Sequence, residues 1–198
     1  NRGVALQSLK RPAEALASYE RALAIQPDNA GASNGRCAAL IALGRPAEAL
    51  AGSDQALTIR PKDVAALNNR GVALENLGRL EDALESFRRA LAVWPEYAEA
   101  INSEASCLIA LKRPDEALES YARALRIRPH YPLLLGNWLH TKMKVCDWSG
   151  LSQAFERLAA DIAAGNPVAS PFAVMATPLP LALQRLGAES LVRDHFPR

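Results

Sequence analysis

The sequence has few of the side chains that carry reactive chemistry. Only three cysteines occur, Cys37, Cys107 and Cys146, and no two form a C-x-x-C pair. Three thiols cannot all pair with one another, and two of them stand at positions otherwise held by Gly and Ala. Small buried thiols in a reduced compartment are therefore expected, not metal or redox chemistry. The three histidines, His130, His140 and His195, are dispersed. There is no H-E-x-x-H pair, and no glycine-rich loop sits between a strand and a helix to cradle phosphate. No catalytic, cofactor-binding or metal-ligating residue is expected. An excess of one charge is also lacking: 23 basic against 21 acidic residues leave +2, no footprint for nucleic acid or an anionic membrane. Long apolar runs are absent as well. The most apolar stretch, 158–176, is interrupted by Asp161, Asn166 and Pro167, so no membrane span is expected. No signal peptide is visible, and a cytoplasmic location is expected.

What the chain does have is a period. Pro27, Pro61, Pro95 and Pro129 are spaced 34 residues apart, as are Ala15, Ala49, Ala83 and Ala117, and Ala22, Ala56, Ala90 and Ala124. A bulky column of Tyr19, Phe87 and Tyr121 is broken only by Ser53. Small, small, aromatic and proline columns in register over four repeats resemble the tetratricopeptide repeat. The resemblance implies an all-α fold: a right-handed superhelix of paired helices, an α-solenoid, with the first helix of each pair lining the concave side.

The columns predict where the helices fall. The second helix of the first repeat runs from Pro12, a residue suited to a first helical turn, to about Ile25. Helix pairs follow at about 30–43 with 46–59, 64–77 with 80–93, and 98–111 with 114–127. Gly44 and Gly78 suit the tight link within a pair, although Lys10 and Lys112 hold that position in the other two repeats. Leu6, Leu40, Leu74 and Leu108, each three residues before Leu9, Leu43, Leu77 and Leu111, share one helix face. Gly3, Cys37, Gly71 and Ala105 let paired helices approach closely. No pair buries its apolar face alone; the next pair covers it. A degenerate fifth pair occupies 131–165, with Trp148 expected to plug the end of the regular stack. Val168 to Pro178 reads as irregular, and Leu179 to Phe196 as one more helix weakened by Gly187. About eleven helices are expected. Residue 1 is not Met, and Asn1 corresponds to Asn69, which lies inside its helix, so the chain is expected to be a piece of a longer protein.

First-helix positions not needed for packing should face the groove. They include Asn34, Asn68 and Asn102 in one column and Asn1, Asn69 and Asn137 in the next, the latter broken by Gly35 and Ser103. An amide both donates and accepts, so it can hold a peptide backbone whatever side chains the peptide carries. The alternative is a local capping or solvated role. Arg2, Arg36 and Arg70 form a third column, continued by Glu104 and Trp138. It could read acidic groups, or its stems could lie along apolar surface with their heads in water. Glu14, Glu48, Asp82 and Glu116 read as first-turn acids favoured by the helix dipole. His130 is expected to be exposed in a loop, and His140 to lie on the groove side of the fifth pair.

The junction carries a second resemblance. Val145-Cys146-Asp147-Trp148-Ser149, the helix after it, and the segment from Pro167 to Ala173 resemble the exit from the repeats in protein O-linked N-acetylglucosaminyltransferases and their SPINDLY-like relatives, glycosyltransferase family 41. The period divides the chain into an array of four repeats over 1–130, the degenerate pair over 131–165, and a linker and helix over 166–198. The resemblance covers repeats to about 145 and a junction from 146 to 198, and implies a catalytic region after it. That region would be two-lobed and would take a UDP-sugar such as UDP-N-acetylglucosamine. Residues such as Phe172, Val174, Met175 and Leu183 would then be loosely held without that region. The histidine-rich stretch of the animal enzymes has no counterpart here, so no catalytic residue is carried over. Three readings follow: the substrate-recruiting part of such a transferase, a stand-alone protein–protein interaction scaffold, or a repeat array attached to some other enzyme. All expect extended peptide or protein segments as partners, and none expects nucleic acid or membrane.

Overall fold

The computed structural model describes residues 2–131, 133–166 and 168–195; Asn1 and Pro167, named above, lie outside them. Twelve α-helices and no strand occur among the described residues. The chain falls into two compact units, Asn1–Leu111 and Lys112–Arg198.

The first unit holds α1 (Arg2–Ser8), α2 (Pro12–Ile25), α3 (Ala30–Ala42), α4 (Pro46–Ile59), α5 (Val64–Asn76), α6 (Leu80–Val93) and α7 (Ala98–Ala110). Each helix packs on the next in sequence, which is how a chain of short links folds without a central core. The first helices, α1, α3, α5 and α7, also pack on one another, more closely than the second helices do. The unit therefore curves with its first helices inside. The starts of α2 and α4 are set by Pro12 and Pro46 in the first turn, where the missing N–H is no loss. The N-cap arginines of α2, α4 and α6 pair with the acids three residues on: Arg11 with Glu14, Arg45 with Glu48, Arg79 with Asp82. These acids have the first-turn position expected of them, with a side-chain partner in addition. At the link within each pair the backbone enters the left-handed region, at Gly44 (φ 70°) and Gly78 (φ 76°), but also at Lys10 (φ 55°). The geometry of that turn is thus kept even where the favoured residue is absent.

Close packing explains the small columns. Ala15, Ala49 and Ala83 are fully buried. A Cβ added at Gly3 would lie 2.5 Å from the Tyr19 ring, one at Gly35 2.3 Å from the same ring, and one at Gly71 2.4 Å from Phe87. Rings and glycines are therefore matched. In the second pair the match is made differently: Cys37 replaces the glycine and Ser53 the ring, and both are buried side by side. Burial pushes the Cys37 thiol up from its ordinary value, with Ser53 and Arg36 pulling it back. The leucine columns divide. Leu6, Leu40, Leu74 and Leu108 are buried, whereas Leu9 and Leu77 are exposed. Leu43, at the end of α3, is half-buried against the core, so the second set is covered unevenly.

The second unit begins with α8 (Pro114–Ile127), capped by Arg113 paired with Glu116, and α9 (Leu134–Lys144) packs on it. Then come α10 (Leu151–Ala163), the short α11 (Pro171–Met175) and α12 (Leu181–His195). The segment read as irregular thus contains a helical turn and a half. Five residues are too few to show a helical period. The chain here lies against α9: Gly136 N–H donates to the Val168 carbonyl at 2.9 Å, and a Cβ at Gly136 would meet that of Ala169 at 2.5 Å. Val168, Ala173 and Val174 are buried, so the segment is held by its own unit and Val174 does not await a further lobe. Met175 and Leu181 are exposed. Gly187 does not interrupt α12; it is buried where that helix meets Ile162 and Val174.

Trp148 is not a plug. It is 65% exposed, and the turn is organised instead by the buried Lys142. The Lys142 ammonium reaches Asp147 Oδ2 at 2.8 Å, donates to Ser149 Oγ at 3.0 Å, and lies 5.0 Å from the centre of the Trp138 ring. The hydrogen bond from Lys142, then those from the Ser149 hydroxyl and N–H, draw the Asp147 carboxyl down to about 2.

Two outcomes follow from this packing. Gly71→Cys should overpack the third pair by about 1–3 kcal/mol, and Phe87→Ser should cost about 3–5 kcal/mol through lost volume. The double variant, which reproduces the second pair, should recover about 0.5–3 kcal/mol of their sum in a urea-unfolding cycle; strict additivity would show that the two positions are not matched. Asp147 has a folded pKa below its unfolded value. Its contribution is therefore present above the ordinary carboxylate range and is lost as pH falls toward 2. NMR titration should find its midpoint at about 2, moving up toward the ordinary value in Lys142→Met.

Candidate functional site: the inner face of the stacked helices

The side chains that the first helices do not bury form the inner face of the first unit. Between the packed leucines stand small or short side chains, Ala38 and Val72 half-buried and Ser106 exposed. Asn34, Asn68, Asn69 and Asn102 are all half-buried. The structure gives them different partners. Asn34 Nδ2 donates to both oxygens of Asp63, at 3.1 and 3.3 Å. Asp63 is at the same time the N-cap of α5, accepting from Ala66 N–H at 2.9 Å. Asn69 Nδ2 donates to the Asn34 carbonyl at 3.1 Å, bridging α5 to α3. The Oδ1 atoms of Asn68 and Asn102 are buried and accept no hydrogen bond. Asn137, in the second unit, is half-buried on α9.

The gap in the amide column at Gly35 has a steric cause. The Tyr19 ring, sixteen residues earlier, occupies the space a side chain would need. Asn69 follows Ser53 by the same interval, and there no ring competes with it. The Tyr19 hydroxyl is anchored by donating to Gln7 Oε1 at 2.7 Å, and Gln7 Nε2 donates to the Gly35 carbonyl at 3.3 Å. Glu75 also lies on this face and accepts from Ser106 Oγ at 3.3 Å. Burial raises its pKa, and that hydrogen bond partly offsets the rise.

Of the arginine column, Arg70 is engaged within the array. Arg70 Nε is 2.8 Å from Asp54 Oδ1, and Arg70 Nη1 donates to Ser86 Oγ at 2.6 Å. One repeat later both signs reverse: Arg88 Nε pairs with Glu104 Oε1 at 3.4 Å. Glu104 in the arginine column is thus a charge swap with position 88.

His130 is exposed as expected, yet its Nδ1 lies 2.8 Å from Oδ1 of the buried Asp161, which also accepts from Asn166 Nδ2 at 3.1 Å. The pair joins residues far apart in sequence on non-repeating elements, so no period announces it. His140 is half-buried, and burial, then Lys144, hold its pKa below the ordinary value. Among the described residues no three of His, Cys, Asp and Glu gather where a metal ion could be held. No described helix is long and apolar enough to cross a membrane.

Comparison with known proteins bears on the repeats that build this face. Tetratricopeptide-repeat profiles match residues 39–91 and 68–132, and a further one matches 1–29. Comparison with curated proteins finds no match. Among solved structures, the chain is similar to TTC0263, a thermophilic TPR protein in Thermus thermophilus. The TM-score is 0.73 at 23% identity, over 96% of this chain and 95% of that one. It is also similar to PilW, a widely conserved type IV pilus biogenesis factor, with a TM-score of 0.67 at 25% identity over 82% of this chain and 74% of that one. A third is YrrB, a TPR protein with an unusual peptide-binding site, with a TM-score of 0.56 at 24% identity over 81% of both chains.

The charge swap can be tested directly. Arg70→Glu should lower stability, and Asp54→Arg in the same chain should restore part of the loss by remaking the pair with the signs found at Arg88 and Glu104. For a pair this exposed the coupling should be about 0.2–1 kcal/mol in chemical unfolding. No recovery in the double variant would mean that the two positions do not interact.

Proposed function

The chain belongs to the tetratricopeptide repeat family, and on that premise we propose that it is a binding scaffold holding an extended peptide or protein segment along the inner face of its first helices. The observation that supports this most is the composition of that face. Stacked first helices leave a surface of small side chains and recurring amides, with Asn68 and Asn102 half-buried one period apart and each with an Nδ2 group that donates to no internal acceptor. Amides suit a partner recognised by its backbone, because they offer both halves of a peptide hydrogen bond. Asn34 and Asn69 take part by holding neighbouring repeats in register.

A second reading rests on the junction, where Val145 to Ser149 and the segment up to Ala173 resemble family 41 transferases. In it the array recruits substrates for a catalytic region that uses UDP-N-acetylglucosamine. Solved TPR chains matched nearly end to end support the scaffold reading over this one. Transfer of labelled sugar by a chain extended past Arg198 would decide for the transferase.

The inner-face reading is tested by fluorescence anisotropy with a library of extended dodecapeptides. Asn68→Ala combined with Asn102→Ala should weaken binding by about 1–3 kcal/mol, the sum of two net hydrogen bonds, with little dependence on peptide sequence. Unchanged affinity with the helical content intact would remove these amides from the site.

A further inference from the structure

The second pair differs from its neighbours at one place beside the loops that join repeats. In the third pair Arg70 is held by Asp54 and by the Ser86 hydroxyl. In the second pair the residue equivalent to Ser86 is Gly52, and the residue equivalent to the Phe87 ring is Ser53. A cavity of about 210 Å³ lies beside Gly52. Arg36, the equivalent of Arg70, lines it. The guanidinium lies against Gly52, with Nη2 3.2 Å from where a Cβ would stand. Arg36 makes no hydrogen bond or ion pair, and Glu48, an acid that feels its charge, is bonded to Arg45.

The rest of the lining has a chemical direction. Ser33 and Gln55, both on the wall, have side chains without an internal hydrogen bond. The acid inside the cavity, Asp63, is already occupied by Asn34 and by the start of α5. Asp28 at the rim is exposed and screened by water. Leu23 and Ile59 supply apolar walls. Three unused polar groups, one of them cationic, next to apolar surface fit an anionic head on a short aliphatic stem. The volume is below the roughly 300 Å³ at which small-molecule sites begin, and so suits one side chain.

We propose that this cavity takes the carboxylate of an aspartate or glutamate side chain from a partner protein, paired with the Arg36 guanidinium and flanked by Ser33 and Gln55. It uses the side of α3 turned toward α4, not the inner face, and stands independently of the reading of that face.

The test uses two sets of capped heptapeptides, identical except for a central Glu or Gln, titrated into the chain at low salt by fluorescence anisotropy. The Glu set should bind about tenfold more tightly, the effect of one charge-assisted pair. In Arg36→Gln the ratio should fall to about one while affinity for the Gln set is kept. That variant breaks no internal hydrogen bond, so its thermal unfolding should match the parent's. Gly52→Ser, which restores the hydroxyl that Arg70 finds at Ser86, should also abolish the preference. Asn68→Ala with Asn102→Ala should leave the ratio unchanged. A ratio near one in the parent chain, a ratio that survives Arg36→Gln, or one lost in the inner-face variant would each overturn the assignment.

Discussion

The distance between neighbouring helices governs this molecule, and it is set by what faces each aromatic ring. Tyr19 lies against Gly3 of its own pair and Gly35 of the next, and Phe87 lies against Gly71. Contacts this close leave no room for a methyl group. They also fix how far α1 and α3 stand apart, and with that the spacing of every side chain on the inner face. Where the ring is lost, at Ser53, a larger residue at Cys37 takes up part of the volume. The second pair also lacks the hydroxyl of its neighbours at Gly52, beside which a cavity lies.

The fold was legible because repetition multiplies weak signals. A proline at the first turn or a glycine at a link means little once. At a fixed interval, three times for the proline and twice for the glycine, such residues help place α2, α4, α6 and α8 within a residue of their observed ends. Legibility stopped where repetition stopped. Trp148 occurs in a turn with no counterpart, so nothing in the sequence tells which way its ring goes, and it turns out exposed. The buried partner of that turn is Lys142, a residue type usually assigned to the surface. α11 is too short to have a period, and His130 and Asp161 meet across elements that do not recur.

The candidate site was legible as positions and not as partners. The asparagine columns could be read from spacing alone. That Asn34 reaches Asp63, or that Asn69 reaches the carbonyl of Asn34, depends on how one repeat sits on the next, which no column states. The arginine column shows the same limit. Read alone, Arg2, Arg36 and Arg70 form a basic stripe. Read beside Asp54, Arg70 is internal charge balance, and one repeat later Arg88 and Glu104 exchange the signs.

Asp63 joins two tasks that a modular array would keep separate. It terminates the backbone of α5 and accepts the amide of Asn34 on α3. When the second repeat loosens, the third loses part of the device that starts its helix. The cooperative unit of opening is then offset from the unit of sequence repetition, running from the middle of one repeat into the beginning of the next. Drift in the Asn34 or Asp63 codon would be constrained by a neighbour's stability, and a duplicated or excised segment would be tolerated best where no such shared cap spans the seam.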